Sequence, residues 1–441
     1  MSTQNEFPDQ PMDGGRAATS PSTWSVIKTI LKPLASLQVS VVLFAMSLVL
    51  VFFGTLAQME DGIWTVVSSY FRTFLVWIPF QLIAKFGMVF FGVSPDAVWT
   101  GSFPFPAGYT IGIAMMINLV TAHLVRFRTT WKRSGIILIH GGMILMLIGE
   151  VITGEKAVES KMYLQQGELS NYLDDSRNIE LAVTWTDEDG VGRELLVPGA
   201  MLKQMGSLSN DQLPVDIEVL EYHKNTTFVE TPDLKDNQDT LVFVSGGRSA
   251  GVRVVIVPSA EEAGVKSERD DAPAVKVVLR DKKTGDELGT HFLSLWQYRN
   301  YNNRLLIGRP HRFTADGRTY DIELRNRRVY KPYTVQLDKF EHKVYPGTVV
   351  AKDYASTITM IDQERGDQRE GIRIWMNNPL RYRGETFYQS GVLPEDSGTV
   401  LQVVNNPGWM LPYVSCVVVT LGMLVHFSIT LTTFLTRRFV R

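Results

Sequence analysis

The chain has 441 residues, 45% of them hydrophobic and 20% charged, with a formal net charge of −2. That balance, with no basic stripe, argues against nucleic-acid binding. The single cysteine, Cys416, and the lack of any CxxC exclude an internal disulfide, thiol–disulfide chemistry and covalent attachment of a prosthetic group through the chain's own cysteines.

Residues 1–33 form a polar tail carrying Lys28 and Lys32. The run 34–56 (LASLQVSVVLFAMSLVLVFFGTL) exceeds the ~20 apolar residues a bilayer crossing needs. It starts too late and is too long for a cleaved signal peptide. An insert, 58–106, follows. Within it, 74–93 carries Trp77, Pro79, Gln81 and Lys85, so it reads as an amphipathic interfacial helix rather than a span. The second span is 107–125. A short link with Arg126, Arg128, Lys132 and Arg133 leads to the third, 134–154 (SGIILIHGGMILMLIGEVITG). The fourth covers 410–435 and precedes Arg437, Arg438 and Arg441. Exactly four spans put all three basic clusters on one side, which the positive-inside rule makes cytoplasmic.

The block 154–408 then lies outside the cytoplasm. Segments such as NIELAVTW (178–185), VDIEVLEY (215–222), AVKVVLRD (274–281) and YTVQLDKF (333–340) alternate with period two between turn signals. They predict one or two antiparallel β units, sandwich- or barrel-like. The stretch 230–273 reads as a loop. The expected fold class is an integral membrane α-helical protein with four transmembrane helices plus a large extracytoplasmic all-β domain. Its parts are the tail 1–33, a three-helix region 34–153 with the periplasmic insert 58–106, the β-rich domain 154–408, and a fourth helix with cytoplasmic tail, 409–441.

No GxGxxG, GxxxxGK[ST], HExxH or GxSxG motif is present, so no catalytic constellation supports an enzyme. None of the seven histidines pairs with a neighbour at metal-site spacing; His291 and His342 read as strand-surface residues. Three histidines fall in or beside the spans, where an ionisable group must face protein, water or a ligand. His123 stands at the edge of span two. His140 lies about 10 Å into span three from Arg133, and His426 about 16 Å into span four from Arg437, at 1.5 Å per residue. Gly135, Gly142 and Gly149 repeat every seven residues and make one smooth helix face. His140 projects at about 200° from that face. Its imidazole therefore meets either a cofactor, as an axial ligand of haem iron, or a neighbouring helix through a hydrogen bond. The residues leave both open.

Three stretches carry a resemblance. LASLQVSVVLFAMSLVLVFFGTLAQ at 34–58, RSGIILIHGGMILMLIGEVITG around His140, and PYTVQLDKF, YPGT, DYAST and NNPLRYRGETFYQSG within 332–391 resemble the ResB (CcsB) proteins of system II cytochrome c biogenesis. The resemblance implies a non-enzymatic assembly factor of the bacterial inner membrane with its large domain in the periplasm. With a polytopic CcsA-type partner it would carry haem b across the membrane as transient cargo and present it to the CXXCH motif of apocytochrome c. The tryptophan-rich WWD segment of CcsA is missing here, so that partner is a separate protein. The resemblance makes His140 the axial ligand of haem iron, with the second ligand coming mainly from CcsA, His426 as a possible alternative and His123 as a weaker one. In the external signature, Asn378, Pro379, Tyr382, Phe387, Tyr388 and Gln389 allow two readings. They form a docking surface for CcsA or apocytochrome, or Pro379, Gly384 and Gly391 set turns while the aromatics fill a β core. The alternative function is a membrane-anchored β-rich scaffold or sensor without cofactor.

Overall fold

The computed structural model describes residues 28–59, 61–94, 96–125, 130–230, 240–244, 250–259, 271–295, 300–301, 304–305, 310–348, 351–393 and 396–439. Four of its helices are long and apolar enough to cross a membrane: α1 (Leu37–Ala57), α3 (Gly108–Val125), α4 (Ser134–Lys156) and α5 (Leu411–Phe439). A shorter helix, α2 (Phe80–Phe90), precedes α3.

The four helices form two pairs. In the first, α1 starts at Ser36, whose Oγ accepts from the Gln38 N–H, and packs antiparallel to α3. Buried Asn118 on α3 fixes this pair. Its Nδ2 donates to the carbonyls of Leu34 and Ser36, at 2.6 and 3.1 Å, and its Oδ1 accepts from Ser40 at 2.6 Å. In the second pair the α4 glycines meet α5. Gly135 faces His426 and Gly422, Gly142 faces Ser415 and Val419, and Gly149 faces Leu411. The glycine face therefore packs within the chain. Lys32, Arg133, Arg437 and Arg438 all lie toward one end of the bundle. Arg126, Arg128 and Arg441 of the same clusters lie outside the described residues.

The insert is not one long amphipathic helix over 74–93. It opens with a helical turn, Ile63–Val66, and a wider turn, Val67–Phe71. Then β1 (Leu75–Pro79) pairs antiparallel with β2 (Ser102–Pro106), and only Phe80–Phe90 between them is helical. The β-branched Val76 and Ile78 turn inward while Leu75 and Trp77 stay exposed, and Pro79, in extended backbone, stops a helix from reaching back through it. Against the β region, the Arg177 guanidinium lies 3.9 Å from the Trp64 ring centre, and Lys224 Nζ donates to Thr65 Oγ1 at 2.8 Å.

Strands β3 (Val158–Gln165), β4 (Leu169–Thr186), β5 (Gly192–Pro198), β6 (Gly206–Leu208), β7 (Val215–His223) and β8 (Thr226–Glu230) follow α4. β9 (Thr240–Val244) and β10 (Ala250–Pro258) fall inside the stretch read as a loop. There TLVFV and VRVVIVP are β-branched enough to pair, with β10 between β8 and β9. The rest are β11 (Ala274–Asp281), β12 (Glu287–Ser294), β13 (Asn300–Tyr301), β14 (Arg304–Leu305), β15 (His311–Ala315), β16 (Arg318–Val344), β17 (Ala351–Asp362), β18 (Asp367–Trp375), β19 (Leu380–Tyr382), β20 (Glu385–Val392) and β21 (Gly398–Asn405).

All strand pairings among the described residues are antiparallel, and two strands serve two cores. The 27-residue β16 places Tyr320, Ile322 and Leu324 against the sheet β6-β7-β11-β12, then Tyr333, Val335 and Leu337 in a second core with β3, β17, β20 and β21. β4 divides likewise, with Leu181 and Val183 in the first core and Leu173 in the second. Pro332 has no N–H to donate, and the β16–β4 register breaks there, between Tyr330 and Val335. Charges collect between the cores. Buried Arg325 donates to Glu180 at 2.9 Å, Glu194 at 2.8 Å and Glu323 at 3.3 Å, and Arg327 to Asp175 at 2.6 Å. A buried guanidinium needs such partners, because removing one leaves an uncompensated charge.

Beside the first core lies a partly buried histidine pair, one member of which, His291, reads from the sequence as a strand-surface residue. His291 on β12 and His311 on β15 lie with their Nδ1 atoms 3.2 Å apart. Burial, with His291 adding a smaller effect, holds His311 down at about 4. The folded protein thus binds fewer protons than the unfolded chain between about pH 4 and pH 6.5. Stability fully present above pH 6.5 is lost as pH falls toward 4, by up to about 3 kcal/mol. Asp174, pushed up to about 6 by burial, works in the opposite sense between pH 4 and 6. His311→Gln should therefore flatten the fall in urea-unfolding midpoint between pH 7 and pH 5. An unchanged fall would assign it to other groups.

Candidate functional site

Two of the three membrane-zone histidines meet. α3 and α4 run antiparallel from a short connection, and their packing brings His123, near the end of α3, against His140, nearly two turns into α4, with His140 Nδ1 3.0 Å from His123 Nε2, ring centres 4.8 Å apart and planes at 85°. His123 Nδ1 lies 2.9 Å from the Leu119 carbonyl. That carbonyl can only accept, so His123 carries its proton on Nδ1 and, when neutral, presents a lone pair at Nε2. His140 must then donate from Nδ1, which assigns its own lone pair to Nε2. Sequence reading treated His123 as an edge residue.

The chain Leu119 O, His123, His140 has the form of a ligand with an outer partner. A ligating imidazole usually donates its second N–H to an acceptor that fixes tautomer and ring orientation. The residues thus fit a haem iron bound through His140 Nε2. They do not fit both histidines on opposite faces of one iron, which needs nitrogens about 4 Å apart with the metal between them.

His426 stands elsewhere. Its backbone lies against Gly135. Counting from the basic flanks made it deeper than His140. In the structure it is five residues, about 7.5 Å, nearer the basic end. The count misleads because α5 runs on to Phe439 and carries Arg437 and Arg438 past the start of α4.

The external signature is built mainly as a core and its turns. Tyr382 and Phe387 are 5% and 0% exposed, in the second core, so neither lies on a docking surface. The alternation of β19 and β20 turns both inward. Gln389 is held by Ser356 and Thr399, at 2.6 and 2.9 Å. Asn378 N–H donates to Trp375 O, and its side chain to Met376 O, at 2.9 and 3.1 Å, closing a tight turn with Asn377 at φ 62°. Asn378 and Tyr388 are exposed and Pro379 partly so. Two buried acids brace the hairpin. Asp362 accepts from Tyr382 Oη at 2.5 Å and from Arg383 at 2.6 and 2.8 Å, and the guanidinium holds its carboxyl down at about 2. Glu385 accepts from Lys331 and from the Tyr333 hydroxyl. Sequence reading missed both.

Arg383 and Gly384 form the two-residue turn between β19 and β20, at φ 47° and 79°, the pair of positive angles of a type I′ hairpin. No neighbour would touch a Cβ at Gly384, so only backbone strain opposes a side chain there. Gly384→Val should cost about 1–3 kcal/mol and lower the amount of folded protein. Full protein level with cytochrome maturation lost would instead assign Gly384 to a docking surface.

A family model described as the ResB-like family matches residues 294–398. This segment is ResB-like. It runs from the end of β12 to the start of β21 and contains the Asp362–Arg383 brace and the type I′ turn. Protein NrfI of Wolinella succinogenes is 30% identical over 104 residues, which is 24% of this chain and 11% of that protein. The chain thus matches about a tenth of that relative's length. The four long helices and the His123–His140 pair lie outside the ResB-like segment.

Proposed function

We propose that this chain is a membrane subunit of a cytochrome c maturation system. The ResB-like segment supports the pathway, and the four long apolar helices support the location. They would place the chain in a bacterial inner membrane, basic ends in the cytoplasm and β region in the periplasm. Reporter fusions at Gly190 and after Arg441 should then report opposite compartments. Equal signals would defeat the four-span topology.

The finer reading is that the chain handles haem b in transit and passes it, with a CcsA-type polytopic partner, to the CXXCH motif of apocytochrome c. The observation that carries this is the orientation of His140 by His123. Bound haem iron would supply the Lewis acid that an imidazole nitrogen ligates. The chain's own groups do the rest. Leu119 O fixes the His123 tautomer, His123 accepts from His140, and His140 Nε2 presents a lone pair. The pair lies where the α1–α3 and α4–α5 pairs meet, a seam a polytopic partner can extend. The second ligand is assigned to that partner, because His426 does not reach the pair.

A second reading is a membrane-anchored scaffold without cofactor. It is favoured by one observation, that the two imidazoles already satisfy each other. A redox difference spectrum of the detergent-purified chain, alone and coexpressed with the CcsA-type partner, separates the two. Haem handling predicts a haem spectrum that the partner intensifies; the scaffold predicts none that depends on this chain.

A further inference from the structure

The segment between α1 and α3 is built for lipid rather than water. From 73 to 106 it has nine aromatic residues and only two charged ones, Lys85 and Asp96. It folds back along α1 instead of standing off its end. The Phe86 ring on α2 lies 5.2 Å from Phe52, and Phe103 on β2 lies 5.9 Å from Phe53. Leu82, Val76 and Ile78 share a core with Leu50 and Ala57 of α1. Phe52 is five residues inside the end of α1, about 7.5 Å of helix. The 21 residues of α1 span about 31 Å, close to the ~30 Å hydrocarbon thickness. The contact with α2 therefore falls below the membrane surface, if α1 crosses.

The opposite face of the segment has no cover among the described residues. Phe90 and Phe91 are 66% and 76% exposed, and Phe74, Trp77, Val89 and Val98 are exposed with them. Phe86 packs on both Phe90 and Phe91. Since Phe52 is itself exposed on α1, the apolar patch is continuous with the outward face of that helix. Much of the backbone is satisfied within the segment: Phe80 N–H at the start of α2 donates to Gly101 O, β1 and β2 pair with each other, and Pro79, Pro104 and Pro106 have no N–H that would need water. Exposed Lys85 has a stem long enough to carry its ammonium up to the headgroups.

We propose that 74–106 is a re-entrant element seated in the outer leaflet, with its Phe90–Phe91 face in contact with lipid acyl chains. The helical turn ahead of it, Ile63–Val66, meets the β region through Trp64 and Thr65, which touch Arg177 and Lys224. This rests on the reading that α1 and α3 cross the membrane, and the test separates the two.

Nitroxides are attached at Phe90→Cys, at Val41→Cys on the exposed face of α1, and at Val191→Cys in the β region, each in a Cys416→Ser chain in nanodiscs. Relaxation by oxygen, which partitions into lipid, is compared with relaxation by a water-soluble nickel chelate. Phe90 should resemble Val41, relaxed by oxygen and shielded from nickel, while Val191 shows the reverse. Nickel relaxation at Phe90 with a lipid-like Val41 would overturn the re-entrant element alone. Relaxation by neither reagent at Phe90 would mean a protein surface, such as a second copy, covers it, and would also overturn it. A water-like Val41 would overturn the crossing of α1, and the element with it.

Discussion

His140→Ala is expected to leave a stable, inserted protein that no longer retains haem and no longer supports cytochrome c maturation. The glycine face that holds α4 to α5 lies away from His140, so the helix pair keeps its contacts. The substitution removes one imidazole and leaves His123 still bonded to the Leu119 carbonyl, with Nε2 released from His140. Removing the proposed ligand removes the binding chemistry outright. His123→Ala should act less severely, because it deletes only the acceptor that orients His140. Losses of outer-partner residues typically run to 10–100-fold in metal affinity. His426→Ala should be milder still, since its backbone, not its ring, makes the contact with Gly135. This ranking separates ligation from packing. If the hydrogen bond mattered only for holding α3 to α4, His123→Ala and His140→Ala would act alike.

Gly135→Val is expected to do the reverse, lowering the amount of protein before any haem question arises. A Cβ at Gly135 would lie 2.5 Å from the His426 backbone nitrogen and 2.7 Å from the Gly422 carbonyl oxygen. Neither atom can move without shifting α5. A Cβ at Gly422 would in turn lie 2.7 Å from Ile139 N and 2.9 Å from the Gly135 carbonyl oxygen, so the two glycines form one close approach between backbones. Overpacking in a fitted core costs typically about 1–3 kcal/mol, and here it acts on backbone, at the upper end. Gly141→Val is the control, because nothing lies within 4 Å of a Cβ there. Immunoblots of membranes should show loss for Gly135→Val and near-normal level for Gly141→Val. Equal levels would mean that α4 and α5 are not held together by their glycines.

Much of the fold was legible because it rests on strong periodic signals. The four apolar runs became four helices within a few residues, and the heptad of glycines named the α4 face that meets α5. The period-two segments became strands. What escaped was set by tertiary partners. Nothing local shows that β4 and β16 each serve two cores, or that Arg325 would draw in three carboxylates. The insert departs from one helix over 74–93 because Pro79 bars a helix from running back through 75–79, where the β-branched Val76 and Ile78 favour a strand. At the site, His140 was legible from its depth and its angle to the glycines. His123 was not, because its partner comes from another helix. In the external signature the residue types were informative but their faces were not. Strand alternation buries Tyr382 and Phe387, and the left-handed turn residues are Asn377, Arg383 and Gly384.

The role of His140 is tested most directly by the reduced haem spectrum of the purified chain coexpressed with a CcsA-type partner, as wild type, His140→Ala, and His140→Ala grown with imidazole. Ligation through His140 predicts a haem spectrum for the wild type, its loss in His140→Ala at equal protein level, and partial return with imidazole, which fills the vacated coordination position. An unchanged haem spectrum in His140→Ala would contradict it and leave the His123–His140 contact as a helix-packing hydrogen bond.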